Sequence, residues 1–150
     1  MATIHLPPDF REFFQLLDAN RVEYLLVGGY AVGYHGYPRA TVDLDIWVAI
    51  SPDNAHRLLV TLEQFGFGKN VGASIELLTQ PGNVIRMGLS PLRIEIQTII
   101  SGLSFTECYA RRVVADLDGT PVSIISVDDL KINKRAAGRL KDLNDLENLT

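Results

Sequence analysis

The sequence predicts an α/β protein, in the mixed α+β sense, with one hydrophobic core and a helical C-terminal tail. Three features carry this. Segments with helical apolar spacing alternate with short β-like runs, one such run leads directly into Gly28-Gly29, and acids stand at alternate positions inside two otherwise apolar strands. A length of 150 residues, 47% of them apolar and 21% charged, suits one domain over residues 1–150. No repeat, low-complexity tract or Gly/Ser/Pro linker marks the start of a second.

After Pro7-Pro8, the spacing of Phe10, Phe13, Phe14 and Leu17 predicts a helix over 9–20, with Asp9 as its N-cap. Tyr24 to Val27 reads as a short buried strand, and Tyr30 to Tyr34 as a short helix beyond the glycine pair. Thr41 to Ile50 is a second strand. Ser51-Pro52 then opens a helix to Phe65 with Ala55, Leu58, Leu59 and Leu62 inward, stopped by Gly66 and Gly68. Residues 73–79 and 83–89 flank Gln80-Pro81-Gly82-Asn83 and predict a hairpin, while Leu92 to Thr98 alternates as a half-buried strand. A short helix over 104–110 and a hairpin about Asp118-Gly119 follow. Ser126 to Asp129 resembles a capping box with Asp in place of Glu. It opens a helical tail containing Leu130, Ile132, Ala136, Leu140, Leu143 and Leu146, which Gly138 divides.

No apolar run approaches the roughly 20 residues of a membrane helix, and the N-terminus lacks a signal-peptide pattern. A cytoplasmic protein with no membrane partner is expected. Cys108 is the only cysteine, which excludes an internal disulfide and a thiolate zinc cluster and leaves it a buried small side chain. A net charge of −4 argues against a surface that tracks nucleic acid throughout. Five basic residues nevertheless cluster in 131–141 with no acid between them: Lys131, Lys134, Arg135, Arg139 and Lys141. Such a run is either a solvated helix face or a contact for phosphates.

Asp43-Leu44-Asp45 lies in an otherwise apolar strand, where uncompensated acids are costly. Alternation puts Asp43 and Asp45 on one side with Cα atoms roughly 6–7 Å apart, and sends Leu44 and Ile46 into the core. Two carboxylates so placed suit Mg²⁺, which orients a triphosphate and stabilises charge during its displacement. Glu95 repeats the pattern between Ile94 and Ile96. If the two strands are neighbours, Glu95 can complete a metal site and accept the proton of an attacking hydroxyl. A solvated polar face on an edge strand would show Asp-x-Asp equally well.

Gly28-Gly29 lets backbone N–H groups approach an anion, or simply makes a tight turn. No Gly-Lys-Ser/Thr follows it, and its spacing is not that of the dinucleotide fingerprint. Leu26-Val-Gly-Gly29, thirteen further residues, Asp43-Leu-Asp45 and the later Ile94-Glu95-Ile96 together resemble the signature of the DNA polymerase beta-type nucleotidyltransferase superfamily. The stretch from Gly28 to Asp45, with Lys134-Arg-Ala-Ala-Gly-Arg-Leu-Lys-Asp142, is similar to its minimal AbiEii and MenT-like branch, and the likeness spans residues 22–149.

That resemblance implies a nucleotidyltransferase fold, a mixed central sheet flanked by helices. It implies that Asp43, Asp45 and Glu95 bind Mg²⁺, that Gly28 and Gly29 hold the nucleoside triphosphate, and that Lys134 contacts phosphates with Asp142 nearby. Arg139 and Arg39 are further candidates for phosphate, Arg39 alternatively for Asp43, and His35 is expected to be a hydrogen-bonded structural residue. The sequence departs from the superfamily in having Gly-Gly for the usual Gly-Ser, and Glu for a frequent Asp at position 95. The implied activity is transfer of a nucleoside monophosphate to a hydroxyl of an RNA 3′ end, a protein side chain or a small molecule, in a toxin–antitoxin setting with an antitoxin partner. A non-catalytic nucleotide-binding or interaction module, and an RNA-binding protein using 131–141, are the competing readings. So small a body offers little wall around a triphosphate, which points to a site completed by a partner or a second copy of the chain.

Overall fold

The computed structural model describes residues 6–38, 43–67, 74–88 and 93–149. Helix α1 (Pro8–Ala19) buries Phe10, Phe13, Phe14 and Leu17, each removal from water contributing roughly 1.5–3 kcal/mol. Its N-cap position is taken by Pro7, and Asp9 falls in the first turn instead, because Pro8 already fits the first helical position. Strand β1 (Tyr24–Val27) is buried throughout. Helix α2 (Gly28–Tyr34) begins at the glycine pair itself, two residues earlier than the apolar pattern suggests.

Strand β2 (Asp43–Val48) is followed by α3 (Pro52–Gln64), where Ser51 Oγ accepts from Asn54 N at 3.2 Å. Ala55, Leu58 and Leu62 are buried, and Leu59 is half-buried against the core. The first limb of the expected hairpin is instead a helical turn, α4 (Ile75–Leu78), capped by Ser74 Oγ accepting from Leu77 N. Ser74 offers the helix an N-cap, and four residues of Ile-Glu-Leu-Leu have no β period to resist it. Only the second limb, β3 (Val84–Met87), is a strand, and its partner is β4 (Arg93–Gln97). Helix α5 (Phe105–Ala110), the hairpin β5 (Val113–Leu117) and β6 (Thr120–Ile124), then α6 (Val127–Ala137) and α7 (Leu140–Asn148) complete the described chain.

Among the described residues the strands form one mixed sheet in the order β3-β4-β2-β1-β6-β5. β1 runs antiparallel to β2 and parallel to β6, and β2 runs parallel to β4. Leu44, Ile46, Ile94 and Ile96 are buried on the core face, so the acids between them emerge together on the opposite face. Asn54, fully buried, ties α3 to the β1 and β2 ends: its side chain accepts from Glu23 N (2.7 Å) and donates to Glu23 O and Ala49 O. Cys108 is buried. No described helix is long and apolar enough to cross a membrane.

The tail differs from an apolar-faced helix. Ser126 Oγ does accept from Asp129 N, but the Asp129 carboxylate turns to Arg111 rather than closing a capping box. Gly138, at φ +67°, ends α6 and reverses the chain into α7. Ile132, Leu140 and Leu143 are exposed, Leu140 by 88%, and the face that α6 and α7 bury carries Lys134, Asp142 and Asp145.

Candidate active site

The site is built where β1 ends and β2 passes it. Val27 pairs with Asp45, and the next residue, Gly28, takes φ +69°, a left-handed conformation that favours glycine. A Cβ on Gly28 would overlap Asp45 Oδ2 and stand 2.9 Å from Asp45 Cβ. Glycine is therefore what allows the turn to lie against this acid.

Asp43 and Asp45 share one face of β2, and β4 is its neighbour, with Glu95 opposite Asp45 and Arg93 opposite Asp43. Asp45 shares a hydrogen bond with Glu95. Its pKa is pushed up to about 7, by burial first, then by Glu95 and by the charge of Asp43, with Lys141 acting in the other sense. The two flanking acids have guanidinium partners: Arg86 Nε donates to Glu95 Oε1 at 2.9 Å and Arg93 Nε to Asp43 Oδ1 at 3.2 Å. Gln97 Nε2 reaches Asp45 Oδ1 at 3.5 Å.

A cleft of about 620 Å³ opens beside this face, lined by Gly28, Gly29, Asp43 and Asp45 and by Lys134, Arg139 and Lys141 from the α6–α7 region. Lys134 is not part of a solvated strip. Its side chain is 5% exposed, and Nζ lies 3.1 Å from Asp145 Oδ2 and 3.3 Å from Asp142 Oδ1, both carboxylates being 1% exposed. Arg139 Nε and Nη2 clasp Asp142 at 2.6 and 3.2 Å. Burial alone would raise the Asp142 pKa, but the Arg139 bonds and the Lys134 charge hold it below the usual carboxylate range. The basic run thus splits, with Lys134 turned inward, Arg139 clamped and Lys141 exposed.

Of the residues singled out from sequence, the structure brings Gly28, Gly29, Asp43, Asp45, Lys134 and Arg139 to one cleft and places Asp142 directly behind Lys134. Glu95 adjoins Asp45 but does not line the cleft. Arg39 lies outside the described residues. His35 Nε2 sits 2.7 Å from Ile125 O, a structural bond as expected. Arg86, Arg93, Gln97 and Asp145 were not anticipated as site residues. Strand alternation with Glu95 already puts Arg93 and Gln97 on its face, and the i,i+3 relation of Asp142 and Asp145 puts both on one side of α7.

The carboxylate donors suit a hard cation such as Mg²⁺. Burial and the neighbouring acids make the charge of Asp45 costly, and a divalent ion would offset that cost. Asp43 and Asp45 fit that ion; Glu95 fits it only on exchanging Arg86 for metal. Among the described residues no three His, Cys, Asp or Glu side chains form a ready-made metal cluster.

A strand, glycine turn and short helix set against an Asp-x-Asp strand with a parallel acidic neighbour define, as a class, a protein of the nucleotidyltransferase fold. Solved structures agree. The chain superposes on TM1012 of Thermotoga maritima, provisionally assigned as a nucleotidyltransferase, with TM-score 0.64, 13% identity and 95% and 94% of the two chains covered. The lincomycin-bound lincosamide antibiotic adenylyltransferase LnuA gives TM-score 0.63 at 15% identity, covering 97% and 96%. An antigenic nucleotidyltransferase-like protein from Paracoccidioides brasiliensis gives 0.54 at 18%, covering 97% and 78%. No protein-family model and no curated protein matches the chain. These likenesses are of fold, and the AbiEii and MenT-like branch rests on the sequence resemblance alone.

Proposed function

We propose that the chain is a Mg²⁺-dependent nucleotidyltransferase that moves a nucleoside monophosphate from a nucleoside triphosphate to an acceptor hydroxyl and releases pyrophosphate. One observation carries the reading: the paired acids of β2 face the Gly28-Gly29 turn in a cleft that also holds a buried, carboxylate-fixed lysine. Asp43 and Asp45 would hold the metal, which supplies Lewis-acid polarisation and charge neutralisation at the phosphates. The backbone of the Gly28-Gly29 turn, which lines the cleft, would supply N–H donors to phosphate oxygens. Lys134, held by Asp142 and Asp145, places a cation against developing phosphate charge without reorganising, and Arg139, which lines the same cleft, adds a contact, with Arg39 a further candidate for phosphate. Asp142 acts here as a positioning residue, through Lys134 and Arg139. The acceptor oxygen attacks the α-phosphorus, the bond to the β-phosphate oxygen breaks, and the acceptor proton passes to Glu95 once that carboxylate has left Arg86.

An RNA 3′ end or a protein side chain as acceptor, and a cytoplasmic role beside an antitoxin, follow from the AbiEii and MenT-like resemblance. The likeness to LnuA, whose structure holds lincomycin, adds a small molecule as a candidate acceptor. Incubation with α-labelled nucleoside triphosphates and cell extract tests the reading: wild type should label an acceptor that the Asp43→Ala/Asp45→Ala variant does not, and equal labelling would remove its support. A second reading, a non-catalytic binding module, is favoured by the Arg93–Asp43 and Arg86–Glu95 pairs, which set cations where metal would act. It predicts triphosphate binding without transfer in the same extract.

A further inference from the structure

Arg86 and Arg93 are cations on the acidic face to which the transfer step gives no task. The sheet register fixes their place. Arg93 stands opposite Asp43, and Arg86 stands opposite Glu95, itself opposite Asp45. With strands about 4.8 Å apart, the two arginines begin one and two strands beyond the Asp pair, on the β3 side. The glycine turn follows β1, on the other side of the acids. Lys134, Arg139 and Lys141 already serve the cleft that the turn lines, so positive charge flanks the acids on both sides. Both guanidinium side chains reach solvent, 64% exposed for Arg86 and 41% for Arg93.

From this arrangement we infer that Arg86 and Arg93 form an acceptor subsite for the phosphodiester backbone of a single-stranded nucleic acid, whose terminal hydroxyl is delivered beside Asp45 and Glu95. The inference rests on the transfer reading and names its acceptor class. Each guanidinium offers five donors in a planar fork that matches phosphate, and its carboxylate bond engages Nε. Without a metal each arginine is neutralised by a carboxylate, Arg93 by Asp43 and Arg86 by Glu95, and the face offers a polyanion no net positive charge. A divalent ion on Asp43 and Asp45 would add two positive charges and compete with the arginines for the carboxylates. Strand binding is therefore coupled to metal binding. A cationic acceptor gains nothing from this face, and a neutral one little.

The test is fluorescence anisotropy of a labelled short single-stranded RNA and of the same sequence as DNA, with Mg²⁺ and a non-hydrolysable triphosphate, alongside calorimetry of the triphosphate alone. The Arg86→Gln/Arg93→Gln variant should lose roughly tenfold strand affinity per arginine while binding Mg²⁺-triphosphate at least as tightly as wild type, because Asp43 and Glu95 lose their competing cations. The log–log salt slope should become shallower by about 0.7 for each arginine removed. Arg86→Lys/Arg93→Lys should recover most of the binding, Arg11→Gln, on α1 and not in the cleft lining, should change neither ligand, and omission of Mg²⁺ should abolish strand binding. Preference for RNA or DNA identifies the source of the phosphodiester, and either supports the subsite. Undiminished strand binding by the double Gln variant overturns it. So does a wild type that binds Mg²⁺-triphosphate but neither strand, a result that leaves transfer to another acceptor standing. A wild type that binds no triphosphate removes the transfer reading and this inference with it.

Discussion

Replacing Lys134 by Met keeps most of the stem's packing but withdraws the ammonium from two carboxylates that are each 1% exposed. Asp142 retains the Arg139 clasp, while Asp145 loses the ammonium 3.1 Å from its Oδ2. Breaking a buried ion pair by removing one partner costs about 3–5 kcal/mol, a large part of the roughly 5–15 kcal/mol that holds a domain folded. With a urea slope near 2 kcal/mol per molar, the unfolding midpoint should fall by roughly 1.5–2.5 M. Urea unfolding followed by circular dichroism measures this directly. Lys134→Met/Asp145→Leu should regain much of the loss, since replacing both members of a buried pair with apolar groups is often close to neutral. A Lys134→Met midpoint within error of wild type would mean that the lysine is not bound in the α6–α7 junction, and the fixed cation of the proposed site would go with it.

Gly28→Ala should cost roughly 1–2 kcal/mol from its left-handed backbone and also displace Asp45, lowering Mg²⁺-triphosphate affinity by about tenfold or more; unchanged affinity in a calorimeter contradicts the close approach. Asn54→Ala strands the Glu23 N–H and two carbonyls that the amide now serves, and thermal unfolding should report a loss of about 2–4 kcal/mol. Asp142, held below the usual carboxylate range in the folded chain, contributes stability that is full above about pH 4 and lost as pH falls through its lower folded value. Asp142→Asn should accordingly flatten the acid limb of unfolding free energy against pH, and an unaltered limb refutes the assignment.

Local pattern exposed most of the scaffold. The apolar partners of Asp43, Asp45 and Glu95 alternate strictly, so the face of each acid could be read before any strand was paired. The β2–β4 adjacency could not, because parallel pairing between segments about fifty residues apart is a tertiary fact. The α4 turn is ambiguous in the sequence for want of length: a few residues around Ile75 and Leu78 do not distinguish a period of 2 from one of 3.6, and the Ser74 cap decides. Lys134 looked like one more member of a basic run because the acids that bury it come from the next helix, across Gly138. Arg93 was visible on the acidic face but its salt bridge was not, since the partner is Asp43 on another strand.

Calorimetric titration of a non-hydrolysable nucleoside triphosphate into wild type and Asp43→Ala/Asp45→Ala, each with and without Mg²⁺, bears most directly on the site. Saturable binding by wild type that needs the ion and disappears in the double variant is the predicted result. Binding indifferent to Mg²⁺ or to both aspartates would contradict a metal-bound triphosphate between the glycine turn and β2.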